Sequence, residues 1–600
     1  MSRNRSTVAL LALALAACGG TGSLQKEVDA WLAEYGRTYQ RLTYAAQQAD
    51  WQSQTHIVEG DTTNAARTKA AKGELAQFVG SVENIDRIRG YLKQSSRLTP
   101  LEVSQLNMML FLAGDSPALV PDLVKQRIAA ETEQTEKLYG FGFTLKGKAV
   151  TPNDIDGALR SSTNLAERQA VWEASKQVGP ALKPGLLKLR DLRNGVVQAL
   201  GYHDYFDYQV SAYGMTPEAM LALMDTLNVQ LRPLYRELHT WARYELARRY
   251  HTAVPDLIPA HWLPNRWGQD WSDLVSVPGL DVDAALKPHD AEWIMKQSEA
   301  FYVSLGFPPL SASFWEKSSL YPVAPDAGYK KNTHATAWHL DLDQDVRSLM
   351  SVEPNREWWE TAHHELGHIY YFLSYSRPEI PYVLRTGANP AYHEGMGTMI
   401  GLASLQRRAL VDRGLIPEGA RVDSMQKLLQ EALTYVVFIP WAAGTMPRWE
   451  HAFYADKLPA DSLNARWWEI AGRYQGIVPP APRGEEFADA ITKTHINDNP
   501  AFYYSYAVAQ ALLFQLHDHI AREILKQDPH DTDYFGHKDV GDFLRTIMAP
   551  GATRPWREVL KESTGRTLDA RAIADYFAPL KAWLEEQNKG RKATLPELGE

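Results

Sequence analysis

The chain has 600 residues, 45% hydrophobic and 22% charged, with 39 Gly and 34 Pro. This is the composition of a globular chain with ample apolar surface for a core, and it excludes the disordered and collagen-like classes. A formal charge of −9 at pH 7 argues against a nucleic-acid binder that works by neutralising phosphates, and the single cysteine excludes an intramolecular disulfide or thiolate cluster.

The first residues, MSRNRSTVALLALALAACGG, place Arg3 and Arg5 before an apolar run from Val8 to Ala17. That is the pattern of a secretory signal, and the run is too short for a mature membrane span, which needs about 20 apolar residues. Leu15-Ala16-Ala17-Cys18 resembles a bacterial lipobox, so residues 1–17 are expected to be a signal peptide and Cys18 an acylated lipid anchor. Gly19 after the cysteine resembles an outer-membrane address. The expectation is a lipoprotein on the periplasmic side of a bacterial envelope, attached to the membrane through its lipid alone.

Residues 18–27 read as a spacer, followed by a single domain over 28–590 and a charged tail at 591–600. Val28, Trp31, Leu32, Tyr35, Tyr39 and Leu42 recur at spacings of three and four, the mark of one buried helical stripe. Helical texture extends to Tyr91 and returns at Leu101–Ala113, Ala158–Gln177, Leu182–Leu200 and Pro217–Arg249. Pro255–Pro278 is too punctuated for helix and predicts loops and short turns. Ala291–Leu305 is again helical, and the alternation in Thr333–Asp343 predicts a strand. From Arg356 onward helices dominate, with breaks expected near Pro378, Pro390, Pro440 and Pro479–Pro482. The fold class is mostly α, with a small β element.

Residues 364–368 read His-Glu-Leu-Gly-His. On a helix, residues four apart share a face, so His364 and His368 can converge on one Zn²⁺ while Glu365 sits where it can take a proton from water. Trp358, Trp359, Leu366 and Ile369 make the surrounding helix apolar, and two buried imidazoles are costly without something to bind. A catalytic zinc commonly takes a third protein ligand and keeps one open position. Glu394, at the start of a helical pattern through Met396 and Ile400, supplies a carboxylate from a second helix, as in the Glu-zincin arrangement.

With these residues and their flanks, HHELGHIYYFLSY followed by LRTGANPAYHE, the chain resembles the angiotensin-converting enzyme family of peptidyl-dipeptidases. The blocks NRWGQDWSDL, HATAW, RYQGIVPPAPR, KTHI, FYYSY with FQLH, and DYFAPLKAWLEEQN extend the similarity over nearly the whole chain, with a single zinc motif. The resemblance implies a two-lobed helical shell around a deep central channel, with long N-terminal helices as a lid that admits short peptides. It implies one Zn²⁺ on His364, His368 and Glu394, Glu365 as general base, and Tyr506 with His495 stabilising the oxyanion. It further implies that His334 and the Ala335 backbone hold the substrate main chain. Gln269, Lys493 and Tyr503 would bind the free C-terminal carboxylate of a short peptide. Gln269 stands where the family's carboxypeptidase branch has an arginine, which points to release of dipeptides.

Four departures from the family accompany this resemblance. A one-residue insertion falls between His495 and Tyr503. The positions matching chloride-binding arginines are Val210, Ala471 and Ser505, so chloride is not expected as an activator. The family's disulfides are missing, and Thr398 stands where an acidic residue follows the third ligand. Two rival readings share these features: a carboxypeptidase releasing one residue, and an anchored peptide-binding protein without catalysis.

Overall fold

The structure is a computed structural model that describes residues 6–58, 60–277, 281–324 and 326–598, with side chains from residue 22 onward. The side chains of residues 1–21, the expected signal peptide and Cys18 among them, lie outside the described residues. Most of the rest is helix, in agreement with the expected class.

The first helix runs Ser6–Thr55 and packs on a second, Thr63–Val79. Its predicted stripe is the buried one: Val28, Leu32 and Tyr35 form a small core with Ile88, Tyr91, Leu106 and Met109, and that core includes Val383 and Leu384 beyond the HExxH helix. Further along, Trp51 packs on Leu340 and Leu349 of the β element. The first helix thus touches both the segment after the HExxH helix and the β element.

The main core runs from Leu138 to Leu595. Helix Pro217–Arg249, opened by Thr216 as N-cap with Pro217 in the first turn, crosses it. Residues 591–598 run back along this helix: Arg232 and Arg243 donate to the carbonyls of Pro596 and Lys592, and Leu595 is buried.

The Pro/Trp-rich segment is irregular, as predicted, so its backbone carbonyls need partners from outside. One buried guanidinium provides them. Arg168 donates to the carbonyls of His261, Trp262 and Leu263, and also to those of Leu159 and Ser162. The Trp271 amide bonds to the Leu433 carbonyl. These contacts hold Trp267 and Gln269 in place.

The structure differs from the sequence reading in several places. The predicted strand 333–343 shrinks to Thr336–His339, paired antiparallel with Val346–Leu349. Beyond His339 the Asp341 carboxylate takes the amides of Asp343 and Asp345, turning the chain instead of extending it. Pro440 does not break its helix. Ser424–Ile439 continues through a widened π-turn, Pro440–Thr445, into Met446–Tyr454, which absorbs the missing N–H and the ring. The helix expected over Ala158–Gln177 is two, Pro152–Ser161 and Leu165–Ala174, the second capped by Asn164. Helix Pro121–Tyr139 and the hairpin Phe143–Leu145 with Lys148–Val150 were not anticipated.

Candidate metal centre

The HExxH helix spans Arg356–Tyr375. It begins where the Asn355 side chain accepts from the Trp358 amide, and it ends just before Arg377-Pro378. Its inner face is Trp359, Ala362, Leu366 and Ile369, all buried. The neighbouring helix, Pro390–Ser404, is N-capped by Asn389 and carries Glu394 in its second turn. A third helix, Tyr503–His519, packs on its other side.

Glycines set the spacing of the three helices. A Cβ on Gly367 would lie 3.3 Å from the Gly397 Cα, and one on Gly397 would lie 2.9 Å from the His364 ring. A Cβ on Gly395 would meet Leu512 Cδ2 at 3.0 Å and the Ala509 carbonyl at 3.1 Å. With no Cβ in the way, Glu394 reaches the paired imidazoles. One ligand atom from each of His364, His368 and Glu394 falls within 4.8 Å of the others. The Nε2 atoms of the two imidazoles are 3.0 Å apart, and the Glu394 carboxylate oxygens lie 3.7 Å and 4.0 Å from them.

This donor set fits a divalent cation. Burial holds His364 down at about 4 and His368 well below the usual histidine range, so both rings are neutral and keep a lone pair for a metal. Glu365 is buried, and its Oε2 has no protein partner. Burial and then the neighbouring Glu394 carboxylate push Glu365 up to about 8. A bound dication would reverse that push.

The metal-ligating group opens into a cavity of about 710 Å³, lined by His364, Glu365, His368 and Glu394 on one wall and by Thr333, His334, Ala335, Thr336 and Ala337 on another. Among the described residues, strand Thr336–His339 has Val346–Leu349 as its one strand partner, so its other edge is open to an added strand. Glu394 also lines a second cavity of about 270 Å³, with Gln269, Asp270, Thr398, Phe438 and Tyr506. The two cavities therefore meet at Glu394.

The remaining predicted residues cluster beside the second cavity. The Tyr506 hydroxyl is 3.5 Å from His495 Nε2. Lys493 Nζ donates to Gln269 Oε1 at 3.1 Å, and the Tyr503 hydroxyl donates to the same oxygen at 3.4 Å. Lys493 is buried, with its ammonium 4.1 Å from the Trp267 ring centre and bonded to an amide oxygen instead of a carboxylate. Burial, and then Arg266, hold it down at about 7. A cation in this position is what an anionic ligand would stabilise.

A sequence profile of angiotensin-converting enzyme matches residues 23–595. The chain belongs to the angiotensin-converting enzyme family. Angiotensin-converting enzymes of Mesocricetus auratus and Mus musculus are each 29% identical to it, over 610 and 603 residues, covering 95% of this chain and 44% of theirs. That of Bos taurus is 32% identical over 453 residues, 73% of this chain and 34% of its own length. The chain thus spans less than half the length of these relatives.

Within this family site, three contributors escaped the sequence reading. Gly397 is one, since its role is to be absent from the space the His364 ring fills. Trp267, whose ring faces the Lys493 ammonium, is another. The third is Glu360, one turn before His364, where the i, i+4 spacing was a usable signal. Glu360 lines the larger cavity, and burial raises its carboxyl above the usual range. Thr398, in place of the family's acid, lines the smaller cavity without a charge.

The close approach at Gly397 makes a prediction. Gly397→Ala should displace the His364 ring and weaken zinc affinity by about 10–100-fold, read by competition with a chromophoric chelator. Unchanged affinity would mean that the ring has room to move aside.

Proposed function

We propose that this chain is a zinc metallopeptidase that releases dipeptides from the C-terminus of short peptides. The observation that carries the reading is the buried Lys493 ammonium, held by Gln269 rather than by a carboxylate and close to Tyr503, with Gln269 lining a cavity that reaches Glu394 of the His364, His368 and Glu394 group. A charged anchor at a fixed distance from the reacting centre measures off how much of the peptide is released.

His364, His368 and Glu394 would hold the zinc, which when bound supplies Lewis acidity toward a carbonyl oxygen and acidity to a water. The chain's own residues supply the rest. The open edge of Thr336–His339, with His334 and Ala335 just before it, offers main-chain partners to an extended peptide. Lys493, Gln269 and Tyr503 hold the terminal carboxylate. Glu365 accepts a proton from the attacking water at its unpartnered Oε2 and returns it to the leaving nitrogen. Tyr506 and His495 donate hydrogen bonds to the oxygen on which negative charge develops.

Chloride independence belongs to the same proposal. Val210, Ala471 and Ser505 are buried and uncharged, and a buried halide without a cation beside it is poorly held. So does location. The Leu15-Ala16-Ala17-Cys18 pattern supports a lipid-anchored protein on the periplasmic face of a bacterial outer membrane.

Several outcomes follow. A tripeptide with a blocked N-terminus should lose a dipeptide by mass spectrometry, and a chelator should stop the reaction. Loss of a single residue would instead make the protein a carboxypeptidase, and no cleavage would leave a binding protein. Glu365→Gln should keep its zinc while hydrolysis falls by about 10²–10⁴-fold. Turnover titrated with NaCl at constant ionic strength should stay level, and a several-fold rise would contradict chloride independence. Lys493 loses its charge above its folded value of about 7, and a bound carboxylate favours the charged form. Preference for free-acid over amidated peptides should therefore be greatest below about pH 7 and fall by up to about tenfold per unit above it. A flat ratio would remove Lys493 from the anchor. Cys18→Ser should move the protein from the membrane to the soluble fraction, and retention on the membrane would refute the lipid anchor.

A further inference from the structure

His495 and Tyr506 are carried by one stretch of chain, and its middle is unusual. Helix Thr494–Asp498 ends at Asn499, and Tyr503–His519 begins after Phe502. The turn between them includes Ala501, which is fully buried and left-handed with φ of +57°. An alanine has no intrinsic preference for that conformation, so something outside the turn has to hold it.

The holding group is Glu450. It sits on helix Met446–Tyr454 among Pro447, Trp449, Phe453 and Tyr454, all buried, and is itself only 1% exposed. A carboxyl so deep is normally paired with a cation. This one instead accepts the Ala501 amide at 2.7 Å through Oε1, while Oε2 has no partner. Burial pushes the group up to about 8, so at neutral pH it is a protonated carboxylic acid, close in shape and charge to glutamine. The other end of the arm is held separately. Arg193 donates to the Asn497 carbonyl at 2.7 Å, and the Asn497 side chain donates to the carbonyls of Ile491 and Lys493.

We propose that Glu450 is a positioning residue for the oxyanion pair: by holding the Ala501 amide it fixes the left-handed turn that sets Tyr506 against His495. This rests on the peptidase reading given above, and it concerns geometry, not contact with substrate.

The test compares Glu450→Met, which keeps the volume and removes the acceptor, with Glu450→Gln, which keeps an acceptor oxygen. A third variant combines Glu450→Met with Ala501→Gly, since glycine adopts positive φ without help. Zinc content, kcat and KM for the blocked tripeptide are measured on the full chain, with amide hydrogen exchange over residues 499–506. Glu450→Met should cut kcat by about 10–100-fold, with KM and zinc content little changed and exchange at Ala501 accelerated. Glu450→Gln should stay close to the starting enzyme on both readouts, and Ala501→Gly should recover much of the kcat lost in the Met background. Should Glu450→Met not fold, Glu450→Asp, one methylene short of the amide, is expected to behave the same way. The proposal is overturned if the acceptor-less variant keeps full kcat and slow exchange, if Gln loses as much as Met, or if glycine recovers nothing. An inert wild-type enzyme would sink the peptidase reading alone, and the exchange data would still decide the role of Glu450.

Discussion

Two helices can bring three metal-ligating side chains to one point only if little but backbone lies between them. Here that condition is met by Gly367 facing Gly397, with the His364 ring filling the space where a Cβ on Gly397 would stand. Gly395 serves the same purpose on the other face of its helix, against Ala509 and Leu512. Shape therefore comes first in this site. The imidazole pair follows from the period of one helix, but its meeting with Glu394 follows from two backbones packed almost in contact.

Electrostatics then gives the site its bias toward ligands. Burial keeps His364 and His368 neutral, raises Glu365 and lowers Lys493. Each shift expresses the cost of a charged form held away from water: a dication would reverse the rise at Glu365 and use the lone pairs that the neutral imidazoles keep, and an anion beside the lysine would restore its charge. The two cavities meet at Glu394, and Gln269, the hydrogen-bond partner of Lys493, lines the smaller one.

Much of this was legible in the sequence where the information was local. The i, i+4 histidines and both bounds of Pro217–Arg249 follow from spacing. Alternation over-read the strand after His334, because Asp341 offers the following amides a closer partner than any neighbouring strand. The proline rule failed at Pro440 because a π-turn can take up a proline without ending the helix. Gln269 and Lys493 lie 224 residues apart in sequence yet share a hydrogen bond. No periodicity predicts that, and only the family resemblance brought the two together. Gly397, Trp267 and Glu450 act through packing between distant segments, so their contributions emerge only in three dimensions.

The claim beneath all of this is that one zinc is gripped by two imidazoles and a carboxylate from neighbouring helices. X-ray absorption at the zinc edge of the stoichiometrically loaded chain tests it directly. The account predicts one zinc per chain with two imidazoles and otherwise oxygen in its coordination shell, and one imidazole fewer in His364→Ala. A shell of oxygen alone, or a spectrum indifferent to loss of His364, would contradict it.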